Sequence, residues 1–196
     1  MPPAPTRSDS LRIRSALLAE ARAMLEADGH PVALNALARR AGVGVGTVYR
    51  HFPTSQALLE AVAFEALEQL RAELVEAAGD PDPWAGLERV VRAQVRMEVA
   101  HVGVREVLAT AVAADPRTAA AMTDMAGLVE ALLGRAWDAG VLHARVGAAD
   151  LRNILCGVGY TAGLVPERAE ATAAFFADVV LRGLRARPES LRTTSS

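Results

Sequence analysis

Apolar residues recur every three to four positions along nearly the whole chain, and no stretch of useful length alternates apolar with polar. This spacing predicts an all-α protein of about nine helices. Ile13, Leu17, Leu18, Ala21, Met24 and Leu25 make the inner face of a first helix, capped by Ser8 or Asp9 and stopped by Gly29 and Pro31. Leu34, Leu37, Ala38 and Ala41 form one stripe of a short second helix. Gly42 breaks it, Val43 plugs the turn, and Gly44 leads into a third helix that ends near Phe52 and is closed by Pro53. Thr54 or Ser55 caps a long helix to residue 78, and GDPDP at 79–83 is a breaker. Further helices are expected over 84–101, over 104–113 after a bend at Gly103, and from Asp115-Pro116 to 139. A loop follows over 141–147, then a glycine-bearing helix over 148–164 and a last one from Pro166 to about residue 187. A Pro-rich arm (1–8) and a disordered tail (188–196) flank this body. The expected division is a three-helix domain over 1–53 and a six-helix bundle over 54–187.

Two short helices joined by a glycine-bearing turn, as over 34–52, are the helix-turn-helix pattern. The second helix of such a pair has the width to enter the major groove of double-stranded DNA.

Composition agrees with helix packing: 52% of residues are hydrophobic but only 4% aromatic, so Ala, Leu and Val must build the core. All 21 basic residues are arginine, which leaves arginine, hydroxyls and backbone amides for any phosphate contact. The net charge of −2 does not by itself announce a nucleic-acid binder. Residues 1–53, however, carry seven arginines against four acidic groups, and residues 54–196 carry 14 against 19. A mildly basic N-terminal end on an acidic bulk is the polarity expected if that end meets phosphates; chance scatter is the alternative.

A single cysteine, Cys156, excludes an intrachain disulfide and suits a reducing cytoplasm. No signal peptide is visible, and the longest apolar run, 154–165, falls short of the ~18 residues a membrane span needs. The four histidines, at 30, 51, 101 and 143, lack metal-ligand spacing. GVGVG at 42–46 lacks the Lys-Ser/Thr end and the preceding strand of a phosphate loop. A cytoplasmic non-enzyme with no cofactor is therefore expected.

The stretch GVGVGTVYRHFPTSQALL at 42–59 resembles the recognition-helix signature of TetR-family transcriptional regulators, and the likeness extends over 32–59. The resemblance implies a ligand-responsive homodimer, expected to be a repressor, that binds a palindromic operator and is released by a small-molecule effector of unknown identity. It places Gly44, Val45, Gly46, Thr47, Tyr49, Arg50, His51 and Ser55 at the DNA, with Val48 and Phe52 turned inward against Leu17, Leu37 and Leu58. Val45 and Ser55 stand where the family often has lysine, and Ala33 stands where a capping threonine is common, leaving Asn35 as a substitute cap.

The resemblance further implies a cavity among the middle helices, for which Met97, His101, Met122, Met125, Trp137, Cys156 and Tyr160 are candidate lining residues. It also implies a dimer interface on the last two helices, with Gly157, Phe175, Phe176, Val179, Val180 and Leu184 as candidates. Met and Trp at helical spacing also make ordinary core, and the stripe at 175–184 also fits an intramolecular seam. The rival functional readings are a helical protein-interaction module that has lost DNA binding and a small helical enzyme.

Overall fold

The computed structural model describes residues 7–29, 31–110 and 112–186. These form nine α-helices and no sheet: α1 (Arg7–Asp28), α2 (Leu34–Arg40), α3 (Val45–His51), α4 (Ser55–Ala78), α5 (Pro83–Ala100), α6 (Val102–Leu108), α7 (Pro116–Asp138), α8 (Ala148–Gly163) and α9 (Ala169–Leu184). The last two residues of the expected arm belong to α1. The rest of that arm and residues 187–196 lie outside the described residues.

Local chemistry sets several helix ends. The Thr54 hydroxyl accepts from Ala57 N at 3.0 Å, Asp82 from Trp84 N at 2.9 Å and Asp115 from Arg117 N at 2.8 Å. Pro83 and Pro116 occupy first helical positions, where a missing N–H costs nothing. Gly42 and Gly140 adopt φ of +66° and +69°. Each ends its helix in a Schellman motif: Val43 N returns to Ala38 O, and Val141 N to Ala136 O, both at 3.1 Å.

One cap and several boundaries differ from the sequence reading. α2 begins after Ala33 with no side-chain cap, so Asn35 does not substitute for threonine. The break between α5 and α6 falls at His101, whose backbone is extended, and Gly103 lies inside α6. A methyl at Gly103 would stand 3.2 Å from Leu25 Cδ2, so this glycine serves close packing of α6 on α1. α6 ends at Leu108 rather than near 113, because the buried Glu60 carboxylate of α4 takes the amides of Ala114 and Asp115, both at 2.7 Å. Pro166–Arg168 is a 3-10 turn, and α9 stops at Leu184, where the chain pairs with the α7–α8 loop: His143 N donates to Leu184 O at 3.1 Å and Ala186 N to Val141 O at 2.8 Å.

One continuous apolar core runs through these helices. Leu17, Leu37, Val48, Phe52 and Leu58 fill its end beneath α3, and Leu67, Leu70, Leu87, Leu132, Leu151 and Leu155 fill the bundle. Full burial of each such side chain is worth about 1.5–3 kcal/mol. α4 belongs to both ends: it packs on α1 and α6 near its start and on α5 and α7 further along.

Candidate nucleic-acid interface and interior pocket

α3 presents two different faces. Val48 and Phe52 are almost wholly buried, together with Leu17, Leu37 and Leu58. Opposite them Gly44, Val45, Gly46, Tyr49 and Arg50 are exposed, with Thr47 and His51 at the margin. Among the described residues, nothing lies within 4 Å of the position a methyl would take on Gly46, so the backbone there is open to close approach. Ser55, exposed at the first turn of α4, adjoins the end of α3.

Arg50 does not extend outward. Its Nε donates to Gly46 O at 3.1 Å and its Nη2 to Thr47 Oγ1 at 3.2 Å, folding the guanidinium back along the helix. It must unfold to reach a phosphate, or act from where it stands on a base beside Thr47.

Arg14 on α1 was not anticipated from the sequence. Its Nη1 donates to His51 O at 3.2 Å, and its guanidinium lies 4.5 Å from the centre of the Phe52 ring. A cation there satisfies a terminal carbonyl of α3 and opposes the negative end of the helix. One helical turn before Leu17 on the inner face of α1 was the only signal for it. Arg40, by contrast, is paired with Glu20.

Between α4, α5, α7 and α8 lies a pocket of about 80 Å³. Its walls include Leu70, Leu74, Met122, Met125 and Val129, and its polar groups are Gln94 and Arg152. Of the seven residues expected there, Met122 and Met125 line it. Met97 is buried in the core instead. His101 is exposed at the α5–α6 break, facing a separate cleft with Arg22 and Glu26. Trp137 is covered by the Arg145 guanidinium at 4.8 Å, and Tyr160 is 59% exposed. Gln94 and Arg152 were missed because polar residues carry no sequence signal for facing inward.

Cys156 belongs to a polar cluster behind the pocket. Gln94 Nε2 donates to Glu98 Oε1 at 2.8 Å, and Cys156 Sγ approaches the same oxygen at 3.7 Å. Glu98 is fully buried, and its Oε2 has no partner. Burial pushes its carboxyl up to about 7, against the opposing pull of the Gln94 and Cys156 hydrogen bonds and the Arg105 charge. Burial and the adjoining carboxylate together push the Cys156 thiol up to about 12, which disfavours the thiolate form. His101 and Arg105, one turn apart, do not form an anion site, since Arg105 is buried beside this cluster.

The α8 glycines divide by role. A methyl at Gly159 would overlap Glu98 Oε2 and stand 3.0 Å from Glu98 Cβ, and one at Gly163 would stand 2.6 Å from Arg105 Nη1. Among the described residues, nothing lies within 4 Å of the position a methyl would take on Gly157. On the outer surface of α8 and α9, Ile154, Tyr160, Leu164, Phe175 and Val179 are all more than two-fifths exposed. Phe176 and Val180 are half-buried, whereas Leu184 is buried in the chain's own core. No helix among the described residues is long and apolar enough to cross a membrane.

Residues 17–62 match the family described as bacterial regulatory proteins, tetR family, and residues 82–186 match the SbtR-like transcriptional regulator C-terminal domain. No curated protein matches the chain. Among solved structures, a TetR transcriptional regulator from Streptomyces coelicolor aligns at 28% identity with a TM-score of 0.53, over 89% of this chain and 99% of that one. A TetR-family regulator from Pectobacterium atrosepticum aligns at 22% identity, TM-score 0.58, over 93% and 99%. The ketosteroid transcriptional regulator KstR2 of Mycobacterium tuberculosis shares the fold at 18% identity, TM-score 0.60, over 89% and 95%. With α3 seated on α1, α2 and α4 and exposed on its other face, a pocket in the bundle and both segments matched, the chain belongs to the TetR family of bacterial transcriptional regulators.

Proposed function

We propose that this regulator acts as a cytoplasmic homodimer that represses transcription from a palindromic operator and leaves it when a small molecule enters the bundle. The observation that carries this reading is the two-faced α3, rigidly seated on its apolar side and bare on the other. Gly44, Val45, Gly46 and Thr47 are assigned to base edges, and Tyr49, Arg50, His51 and Ser55 to phosphates or flanking bases. The uncovered apolar face of α8 and α9 is assigned to the second subunit, since a patch of that kind on a soluble chain marks an interface. A two-fold pair would place its α3 helices in successive major grooves, about 34–36 Å apart.

α4 is the proposed lever. Its first turn follows α3 directly, and Leu70 and Leu74 face the pocket about 22 Å and about 28 Å further along at 1.5 Å per residue. A ligand that prefers one tilt of α4 shifts the spacing of the two α3 helices and so lowers DNA affinity.

Selection of genomic fragments by the purified dimer, followed by mobility-shift assays, tests the reading. A competitor-resistant shift with a two-fold site is expected. Thr47→Ala should weaken it by about 1–3 kcal/mol at specific positions. Tyr49→Phe should weaken it by about 1 kcal/mol on every sequence. Failure to enrich any site would favour the protein-interaction module instead.

A further inference from the structure

We infer that the effector is an aliphatic monocarboxylate, its chain among Leu70, Met122, Met125 and Val129 and its carboxylate on Arg152. This rests on reading the bundle pocket as the effector site. Arg152 is half-buried; its guanidinium makes no hydrogen bond or ion pair among the described residues, and its Nε, though not its Nη groups, is buried without a partner. A buried unpaired donor of a permanently charged group is costly, and an anion removes that cost. No carboxylate lines the pocket to compete. Glu98 stands behind Gln94, which donates to it, and Glu130 is engaged by the Ala148 amide at 2.7 Å.

The tail follows from the walls. They are Leu, Met, Val and Ala with no aromatic ring, so they offer a planar ligand no stacking surface and a polyol no set of partners. At about 80 Å³ the pocket is smaller than the ~150 Å³ cavity that accommodates benzene. A slim flexible chain can enter as Met122 and Met125 change rotamer, because methionine adapts its shape at little cost.

The test uses the full-length protein without DNA, titrated calorimetrically with hexanoate and octanoate and with the matching alcohols and amines. Each carboxylate should bind about 10- to 100-fold more tightly than its alcohol, the range expected for one charge-assisted contact. Arg152→Gln should bring that ratio close to unity and leave alcohol binding unchanged, whereas Arg152→Lys should retain most of it. Met122→Trp, which fills the pocket from a half-buried position, should weaken acids and alcohols alike. Preference for the amine, an acid-to-alcohol ratio untouched by Arg152→Gln, or no binding of any acid at millimolar concentration would each overturn the inference. The mobility-shift assay separates the two readings. DNA binding without carboxylate binding defeats only this inference, and carboxylate binding without DNA binding defeats only the operator reading.

Discussion

Replacing Gly159 with alanine tests how closely α8 is held against the buried carboxyl of α5. The added methyl would overlap Glu98 Oε2 and crowd Glu98 Cβ at 3.0 Å, and Glu98 cannot swing away freely because Gln94 and Cys156 engage its other oxygen. Overpacking of this kind costs about 1–3 kcal/mol. Alanine also returns about 1 kcal/mol of helix propensity, so the bare effect understates the clash. Gly127→Ala on α7, where a methyl meets nothing within 4 Å, supplies the propensity gain alone. The difference between the two variants should therefore be about 1–3 kcal/mol, or roughly 2–4 °C of Tm for each kcal/mol in a chain this size. Equilibrium urea unfolding at one fixed protein concentration measures it, since dimerisation makes stability concentration-dependent. A cycle with Glu98→Ala locates the cause: removing the carboxyl should relieve the alanine at 159 by about 1 kcal/mol or more. Equal stabilities of the two alanine variants, or an additive cycle, would refute the close approach.

Three further outcomes are expected. Glu98 is protonated in the fold and ionised in the unfolded chain between about 4.3 and about 7, so stability should fall as pH rises through that window by up to about 1.4 kcal/mol per unit. Glu98→Gln, which can still accept from Gln94, should flatten the profile measured by urea unfolding between about pH 5 and about pH 8. Arg14→Ala should destabilise the protein by about 1–2 kcal/mol and loosen the end of α3, read as faster amide exchange at Phe52 and weaker operator binding. Phe175→Glu with Val179→Glu should yield a folded monomer by sedimentation, and a dimer that persists would place the interface elsewhere.

These tests follow the division between what is local in this protein and what is not. The helix-turn-helix was legible because its determinants lie within a few residues of one another. Gly42 needs its positive φ, Val48 and Phe52 share one face with the stripe of α2, and Gly46, Tyr49 and Arg50 then fall on the other by helical geometry. The helices and the caps at Thr54 and Asp115 follow from the same short-range rules, whereas Ser8 and Asp9, expected to cap α1, lie inside it. The interior of the bundle was not legible, because a period marks which side of a helix is apolar but not which neighbour it meets. Met122 and Met97 read alike in sequence, yet one faces the pocket and the other the core. Gly157, Gly159 and Gly163 lie within seven residues of one helix, yet only the last two have a side chain of another helix pressed against them. Glu60 ends α6 from 48 positions upstream of Leu108, and Glu98, Gln94 and Arg152 face inward although charged and amide side chains ordinarily seek water. Sequence alone determined the elements and the exposed face of α3, since backbone period and turn chemistry are set by near neighbours. Only the packing of α4, α5, α7 and α8 decided where the half-buried Arg152 and the buried Glu98 stand, since burial and partners arise from contacts between residues far apart in the chain.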